Sequence, residues 1–389
     1  MSDSLVAQVE AFIAEQVIPL EVEHRGNLHH ASEQFRQQLQ SGARERGLLA
    51  PHVSKEWGGH GLGLVDRAPV FEAAGYSLFG PLALNIAAPD EGNMHLLEEV
   101  ATEAQKQKYL APLAAGEVRS AFAMTEPAPG AGSDPSMLRT RAEKVDGGWK
   151  IDGHKWFITG ATGASFFICM ARTGDGASGD GATMFLVDAD NPGVRVQRSI
   201  DTLDEAMIGG HGEVFFENCV VSDDDVLGEV NKGFRYAQVR LGPARLTHCM
   251  RWLGIAIRSH HIALDRALDR QAFGKNLAEL GMIQQMIADN EIDIAAARGL
   301  ITQACWELDQ GGHASQSVSI AKTFSAEAVW RVVDRSLQMC GSLGVSGDIL
   351  LSRFLREVRP FRIYDGPSET HRWAIARRVL RQHDKKAGQ

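Results

Sequence analysis

The sequence has 389 residues, which suggests two to three domains at about 150 residues each. Hydrophobic residues make up 44% and charged residues 23%, as in a globular protein with a substantial core. The net charge is −9, so the chain lacks the basic excess that displaces counterions from nucleic acid. The longest apolar run, from Ala164 to Ala171, is far shorter than the roughly 20 residues of a membrane span. We therefore expect neither nucleic-acid binding nor a membrane span.

The cysteine and histidine patterns argue against disulfides and metal sites. The cysteines are odd in number, far apart and form no CxxC pair, which suits small buried side chains in a reducing cytoplasm. The adjacent histidines at 29–30 and 260–261 would point in different directions on a helix, so neither pair forms a metal-binding face. The N-terminus shows neither a signal-peptide core nor a transit-peptide pattern. We expect a cytoplasmic protein without a metal centre.

Hydrophobic periodicity divides the chain into three regions. We predict three domains, at 1–120, 121–232 and 233–389. In the first, Leu5, Val9 and Phe12 recur at the spacing that gives a helix one apolar face. Pro19 and the glycine cluster at 58–63 are expected to interrupt the helices of this region.

The second region has the shorter period of β-strands. The segment 145–151 predicts a strand, a turn and a strand. Continuous apolar runs at 166–170, 184–187 and 214–216 predict buried strands. A G-x-G-x-x-G pattern at 174–179 lies between two such strands and opens no helix, so it predicts a hairpin loop rather than a phosphate-binding loop.

The third region returns to the helical period, in long segments with few breakers. Pro360 should end one of these helices shortly before the last one begins. The arginines around it recur every three residues, and this basic ladder predicts intersubunit salt bridges rather than contacts with a phosphate. The ladder comprises Arg353, Arg356, Arg359 and Arg362.

Four segments contain residue types that can carry chemistry. The Gly-rich segment 121–134 could hold an anion or the edge of a flat ring with its backbone N–H groups, although it could also be a plain loop. The segment 155–160 puts aromatics and a hydroxyl at a strand end, where a core strand is the alternative. The segment 270–275 places an Arg near an aromatic residue between long helices. The alternative for this segment is a plain helix C-cap at Gly274. The segment 363–369 puts a carboxylate before the last helix, where it could simply cap that helix.

In their order and spacing these segments resemble the acyl-CoA dehydrogenase family over nearly the whole chain. The matching stretches are T-E-P…G-A-G-S-D at 125–134, K-W-F-I-T-G at 155–160, R-Q-A-F-G-K at 270–275, Q-M-C-G-S-L-G at 338–344 and I-Y-D-G at 363–366. The resemblance implies an α+β multidomain fold with an N-terminal helical domain, a middle β-barrel and a C-terminal four-helix bundle. It also implies FAD as cofactor and a homo-oligomer, usually a tetramer, with FAD held partly across a subunit interface.

The resemblance assigns roles to individual residues. Asp365 matches the catalytic base, and Ser133, Arg245 and Gly366 match contacts with the CoA substrate. Phe157 and Thr159 match the pair that covers the flavin ring and its reactive nitrogen. Positions matching cofactor contacts are Phe122, Met124, Thr125, Ser133, Phe157, Thr159, Arg270, Phe273, Gln338, Gly341, Pro367 and Glu369. Arg270, Phe273, Gln338 and Gly341 would reach the FAD of a neighbouring subunit.

The implied reaction removes hydrogen across Cα–Cβ of an acyl-CoA thioester to give the trans-2-enoyl-CoA. It needs a base on one face, a hydride acceptor on the other and hydrogen-bond donors to the thioester oxygen as enolate character develops. The resemblance places this reaction in fatty-acid β-oxidation or 4-hydroxyacid catabolism, with electron-transfer flavoprotein or a similar carrier as acceptor. The sequence leaves open the acyl chain, the acceptor and the choice between dimer and tetramer.

The chain departs from the family pattern around the base. The usual Glu is Asp365, which withdraws the carboxylate by roughly 1.5 Å. A second family location for the base is Ala244 here, and Pro367 replaces the usual Thr. Three stretches resemble the subgroup of family members ten and eleven, which is linked to 4-hydroxyacyl-CoA breakdown: D-G-P at 365–367, A-P-D-E-G-N-M at 88–94 and R-L-G-P-A-R-L-T-H-C-M-R at 240–251.

Two other functions are compatible with this pattern. An oxidase or monooxygenase of the same fold, related to nitroalkane oxidase, also uses an Asp base and would make peroxide stoichiometrically. A catalytically idle member would act in binding or assembly and would lack bound FAD. The intact Arg245 and Ser133 favour a CoA ligand over the substrate of an oxidase. The intact flavin stretches and the carboxylate at Asp365 argue against an idle member.

Overall fold

A computed structural model describes residues 2–174, 181–312 and 314–387. The chain divides into two compact units. We call residues 1–26, 62–81 and 245–389 the helical unit, and residues 27–61 and 82–244 the sheet unit. The glycine pattern at 174–179 lies, apart from Gly174, outside the described residues, so the hairpin loop expected there stays a prediction.

Helices and strands follow the predicted order of helical, β and helical regions. The helices are α1 (Ser2–Phe12), α2 (Ile18–Glu23), α3 (Glu33–Glu45), α4 (Leu64–Ala74), α5 (Gly80–Ala83), α6 (Asp90–Val100), α7 (Glu103–Gln105), α8 (Ala111–Ala114), α9 (Gly233–Asp269), α10 (Gly281–Asp309), α11 (Ser315–Cys340), α12 (Ser342–Val345), α13 (Leu351–Val358) and α14 (Ser368–Ala387). The strands are β1 (Ser120–Ala123), β2 (Arg141–Val145), β3 (Gly148–Thr159), β4 (Phe166–Arg172), β5 (Ala182–Asp188), β6 (Val194–Ile200), β7 (His211–Ser222), β8 (Val226–Leu227), β9 (Gln271–Ala272) and β10 (Lys275–Asn276).

The N-terminal helices confirm the apolar face read from the sequence, because Leu5, Val9 and Phe12 are all buried. The expected interruption at Pro19 is wrong. A π-helical turn at Ile13–Val17 leads directly into α2, in which Pro19 is the second residue. The π-helical turn shifts the hydrogen-bond pattern just before Pro19, with Ile18 N–H donating to the Ile13 carbonyl, so the helical path continues past the proline.

The sheet unit is built on eight strands in the order β6-β7-β3-β2-β4-β5-β8, with β1 pairing parallel to β4. Strand β4 is buried on both faces, as its continuous apolar run predicted. Ile168 and its neighbours on one face pack with Leu97 and Leu113 from α6 and α8. Cys169 and its neighbours on the other face pack with Phe216 of β7. The hairpin predicted at 145–151 is confirmed by the pairing of β2 with β3.

The helical unit contains the long helices α10, α11 and α14 and most of α9. Helix α13 ends at Val358 and continues as a 3₁₀ turn, Arg359–Arg362, which contains Pro360 and confirms the predicted helix end. Arg353 lies 3.6 Å from Glu357, and Arg362 lies 2.9 Å from Glu327. These two arginines of the basic ladder therefore make ion pairs within the chain, where intersubunit pairs were predicted.

Two expectations from composition agree with the structure. All five cysteines are buried and free of disulfides. Within the described ranges, every helix is too short or too polar to cross a lipid bilayer.

Candidate active site

The predicted base lies on a sharp turn that starts within the 3₁₀ turn and ends before α14, which we call the carboxylate turn (residues 361–366). Asp365 has φ +52° and Gly366 has φ +98°, both in the left-handed region. Asp is one of the few non-glycine residues that adopt this region readily. A Cβ atom on Gly366 would lie 2.7 Å from His371 Nε2, so this position requires glycine. Because α14 begins only at Ser368, Asp365 is not its capping residue.

Side chains from three helices hold the backbone of the carboxylate turn. Lys322 on α11 donates from Nζ to the carbonyls of Phe361 and Gly366, both at 2.8 Å. The carbonyl of Asp365 accepts from Arg245 Nε of α9 at 2.9 Å and contacts His371 Nε2 of α14 at 3.1 Å. The position of the predicted base is therefore set by α9, α11 and α14 together.

Burial shapes the charges around this turn. Lys322 is fully buried, and burial lowers its pKa to about 8. Burial also lowers the pKa of Arg245, and the nearby Asp365 carboxylate opposes that shift. Burial and the Arg245 charge lower the pKa of His371 to about 4, so His371 is neutral at pH 7. A neutral His371 can donate from Nε2 to the Asp365 carbonyl.

The carboxylate of Asp365 faces an aromatic and histidine environment. His248 Nε2 lies 3.3 Å from Asp365 Oδ2, and the His248 ring is centred 4.9 Å from the Tyr364 ring. Arg251 Nη2 donates to His248 Nδ1 at 3.0 Å. Since Arg only donates, this bond leaves the hydrogen of a neutral His248 on Nε2, the ring nitrogen nearer to Asp365. The Asp365 side chain is 19% exposed, so a reactant can approach it.

The sheet unit places a second set of predicted residues at the end of β3. Thr125 Oγ1 donates to the Trp156 carbonyl at 2.6 Å, and Trp156 N–H donates to the Thr125 carbonyl at 3.1 Å. These bonds fix the Gly-rich segment beside the strand. Phe157 has φ +51° and is 47% exposed, so the core-strand alternative for this residue is wrong. An exposed aromatic face on a constrained backbone suits a flat ring ligand.

Thr159 at the same strand end begins a chain of polar contacts. Its Oγ1 lies 2.9 Å from His211 Nδ1, and His211 Nε2 lies 2.9 Å from Asp204 Oδ2. Burial opposes ionisation of Asp204, but hydrogen bonds, among them the one with His211, outweigh this effect and hold the pKa of Asp204 below its usual range.

A buried ion pair organises the Gly-rich segment. Glu126 accepts from Lys155 Nζ at 2.9 Å, from the Thr140 hydroxyl at 2.6 Å and from three backbone N–H groups, those of Ala131, Arg139 and Thr140. Burial opposes its charge, but Lys155 and Thr140 together lower the pKa of Glu126. Part of the donor set expected to hold an external anion is thus used by an internal carboxylate.

The remaining predicted cofactor residues are spread over both units. Phe122 lies under the Arg240 guanidinium at 4.1 Å, and the Met124 carbonyl accepts from Lys155 at 3.0 Å. Ser133 is exposed in the Gly-rich segment. In the helical unit, the residues concerned are Arg270, Phe273, Gln338, Gly341, Pro367 and Glu369. Pro367 accepts from the His371 N–H, and Glu369 lies in the first turn of α14.

Arg270 follows the last residue of α9 and precedes the short hairpin of β9 and β10. The alternative of a helix C-cap at Gly274 is wrong, because α9 ends at Asp269 and Gly274 lies in the hairpin turn. Phe273 at this turn has φ +53° and is 92% exposed.

Several residues of these sites were missed in the sequence. No histidine was predicted to take part in these sites, yet His248 and His371 border the carboxylate turn and His211 contacts Thr159. His248 could have been found, because it follows Arg245 by three residues and so shares a helix face with it. Lys322 could have been noticed as a cation within an apolar helix face.

Comparison with known proteins identifies the family. Sequence profiles of the acyl-CoA dehydrogenase N-terminal, middle and C-terminal domains match residues 2–117, 121–219 and 231–380. The chain is also 38% identical to FadE2 of Mycobacterium tuberculosis, over 95% of this chain and 93% of that protein. The chain belongs to the acyl-CoA dehydrogenase family.

Other relatives of this chain agree with the sequence resemblance. Acyl-CoA dehydrogenase family member 10 of Mus musculus is 35% identical over 98% of this chain and 37% of that protein. Butyryl-CoA dehydrogenase of Megasphaera elsdenii superimposes with a TM-score of 0.87 and 26% identity, over 97% of this chain and 98% of that one. The predicted fold class and the likeness to family members ten and eleven are confirmed.

Family membership also confirms the prediction of FAD as the cofactor. The residues present fit a flavin, because Phe157 exposes an aromatic face beside the hydroxyls of Thr125 and Thr159 at one strand end. When bound, FAD supplies the acceptor for a hydride.

Proposed function

We propose that this acyl-CoA dehydrogenase removes the α-proton and a β-hydride from an acyl-CoA thioester, with Asp365 as base. The observation that supports this most directly is the carboxylate turn itself. A partly exposed carboxylate stands on a turn fixed by Lys322, Arg245 and His371. General bases act efficiently only when their position is held, because misplacement by about 1 Å can cost about 100-fold in rate.

The chain's residues divide the work in this proposal. Asp365 accepts the α-proton on its carboxylate. Arg245 and Gly366 contact the CoA thioester, and Arg245 also holds the Asp365 carbonyl at 2.9 Å. Ser133, which is exposed in the Gly-rich segment, contacts both CoA and the cofactor. Phe157 and Thr159 would hold the flavin ring, and the exposed aromatic face of Phe157 would shield it from water.

We further propose that the protein works as a homo-oligomer, a dimer or a tetramer. Phe273 supports this, because a 92% exposed Phe on a hairpin turn leaves a large apolar surface in water. Arg270, Gln338 and Gly341 would then complete the FAD site of a neighbouring subunit. The electron acceptor is electron-transfer flavoprotein or a similar carrier. One similar structure, at 26% identity, is described as an electron-transferring flavoprotein of Acidaminococcus fermentans.

The proposed substrate class is the one that the sequence resemblance to family members ten and eleven implies, an acyl-CoA of fatty-acid or 4-hydroxyacid catabolism. The test is anaerobic titration of the yellow protein with a panel of acyl-CoAs, including 4-hydroxyacyl and long straight chains. Bleaching of the flavin band by one thioester is the expected result and identifies the substrate class.

Two results would contradict the proposal. A flavoprotein that no thioester bleaches, but that makes peroxide stoichiometrically with another carbon acid, would be an oxidase of the nitroalkane-oxidase type. A colourless protein that also does not bind added FAD would be a catalytically inactive family member that acts in binding or assembly.

A further inference from the structure

The polar contacts behind Thr159 form a continuous chain within the sheet unit. Thr159 is the last residue of β3 and pairs in register with His211, the first residue of β7. Thr159 Oγ1 lies 2.9 Å from His211 Nδ1, and His211 Nε2 lies 2.9 Å from Asp204 Oδ2. The His211 and Asp204 side chains are 14% and 10% exposed, so water competes little for these bonds.

The Asp204 carboxylate, at the end of this series of contacts, determines which nitrogen of His211 carries a hydrogen and which way the Thr159 hydroxyl points. An ionised Asp204 only accepts hydrogen bonds, so a neutral His211 carries its hydrogen on Nε2. His211 Nδ1 then offers a lone pair, and Thr159 must donate its hydroxyl hydrogen to it. A hydroxyl has one hydrogen, so the Thr159 oxygen can only accept hydrogen bonds on its remaining side.

We propose that His211 and Asp204 orient the Thr159 hydroxyl so that its oxygen presents only lone pairs to the flavin, and thereby favour the reduced cofactor. This inference rests on the proposed position of the flavin ring against Thr159. The ring nitrogen that gains a hydride is a hydrogen-bond acceptor when oxidised and an N–H donor when reduced. A lone pair facing it repels the first form and bonds the second, so the midpoint potential rises. His211 and Asp204 are positioning residues, because they act through Thr159.

The central experiment measures the midpoint potential of bound FAD with a chemical reductant and reference dyes, without any acyl-CoA. His211→Leu removes the acceptor and lets the Thr159 hydroxyl turn and donate to the oxidised ring. We expect the ratio of reduced to oxidised flavin at a fixed potential to fall about tenfold, a decrease of about 30 mV for a two-electron couple. Thr159→Val, which deletes the hydroxyl, should also lower the potential.

A double-mutant cycle separates this effect from general disturbance of the strand end. The effect of His211→Leu should vanish in a Thr159→Val background, because no hydroxyl remains to be oriented. Asp204→Asn should lower the potential in the wild-type background only. The matched control is Glu213→Gln on β7, which removes a carboxylate that contacts His154 at 2.8 Å and should leave the potential unchanged.

A second readout is independent of the flavin potential. In protein labelled with ¹⁵N-histidine, the His211 signal, identified by its loss in His211→Leu, should show the Nε2–H tautomer. A Nδ1–H tautomer, an unchanged potential in both His211→Leu and Thr159→Val with FAD bound, or equal effects of His211→Leu in both backgrounds would overturn the proposal. Because no measurement uses a thioester, an enzyme that no acyl-CoA reduces would refute the proposed function and still report on this chain of contacts.

Discussion

The Nζ atom of Lys322 lies 2.8 Å from the carbonyl oxygen of Gly366, the residue that follows the proposed base. The same ammonium also holds the Phe361 carbonyl, so one buried cation joins both ends of the carboxylate turn. Burying an ammonium costs several kcal/mol unless hydrogen-bond acceptors compensate. Here the acceptors are carbonyls of the backbone that carries Asp365.

The free energies of unfolding of the wild type and of Lys322→Met should differ by an amount that depends on pH, because Lys322 is buried. Burial lowers the pKa of Lys322 from 10.5 to about 8. Between these values the unfolded chain holds a proton that the folded chain has lost, so the free energy of unfolding of the wild type rises with pH relative to Lys322→Met. The relative gain should reach about 3 kcal/mol by pH 10.5. Denaturant unfolding of both proteins at pH 7.5 and pH 10.5 measures it, and a difference independent of pH would contradict the assignment.

Replacing Asp365 with Asn should abolish proton removal while leaving the sites intact. The amide cannot accept the α-proton, so flavin reduction by substrate should slow by about 10²–10⁴-fold. FAD content and the Kd for acyl-CoA should change little, because Asn is nearly the same size and also adopts the left-handed conformation. Stopped-flow measurement of flavin bleaching provides the test. Retained reduction at the wild-type rate would remove Asp365 from the base role.

His248 offers a matched pair of substitutions at the proposed base. His248→Leu removes the ring nitrogen that lies 3.3 Å from the Asp365 carboxylate, whereas His248→Gln keeps a polar group near the position of Nε2. We expect His248→Leu to slow flavin reduction roughly 10- to 100-fold and His248→Gln to restore most of the rate. The Kd for substrate should be similar in both variants. Equal rates in the two variants would mean that His248 does not position the carboxylate.

Replacing Glu126 with Gln should destabilise the sheet unit. The change breaks a fully buried pair with Lys155 and turns one acceptor oxygen into an amide that faces backbone N–H donors. The expected loss is about 3–5 kcal/mol. Because the pKa of Glu126 is lowered on folding, its contribution is present above the unfolded-state pKa and is lost as pH falls through the folded-state value.

Denaturant unfolding at pH 7 and at pH 3 measures this contribution. The difference between wild type and Glu126→Gln should shrink at the lower pH. Glu217→Gln is the control, since the ion pair of Glu217 with Arg195 is exposed and its loss should change stability by less than about 1 kcal/mol. If Glu217→Gln lowered the free energy of unfolding as much as Glu126→Gln does, the buried pair would contribute no more to stability than an exposed one.

Replacing Arg270 with Ala should weaken FAD retention and assembly together. Loss of a charge-assisted hydrogen bond to the cofactor of a neighbouring subunit should reduce FAD affinity about 10- to 100-fold. The absorbance ratio at 450 and 280 nm and the sedimentation profile measure both effects. Arg141→Ala, the same change of charge on an exposed edge of β2, should leave both unaltered. Unchanged FAD content in Arg270→Ala would refute a contribution across subunits.

The elements of the fold could be predicted largely from local patterns. The buried strand β4 and the apolar face of α1 follow from the spacing of apolar residues, which depends only on neighbours in the chain. Pro19 was predicted wrongly, because the π-helical turn that accommodates it has no clear sequence signal. Asp365 and Arg245 were identified through the family resemblance and lie together in the structure.

The partners of these residues could not be predicted in the same way. Lys322 is separated by 44 positions from Gly366, and only packing brings them together. Phe157 reads as a core residue within an apolar stretch, but a bulge between Lys155 and Ile158 turns it outwards. Long-range side-chain contacts and local irregularities of the backbone depend on tertiary structure.

The anchoring of the carboxylate turn also limits how the family's chemistry can vary in this chain. Three donors on three different helices fix the same short stretch of backbone, so a substitution that slides α9, α11 or α14 along its axis moves the proposed base as well. Changes that adapt the protein to a new acyl group must therefore arise where they leave the register of these helices intact. The acyl pocket is free to evolve only on surfaces that do not support this turn.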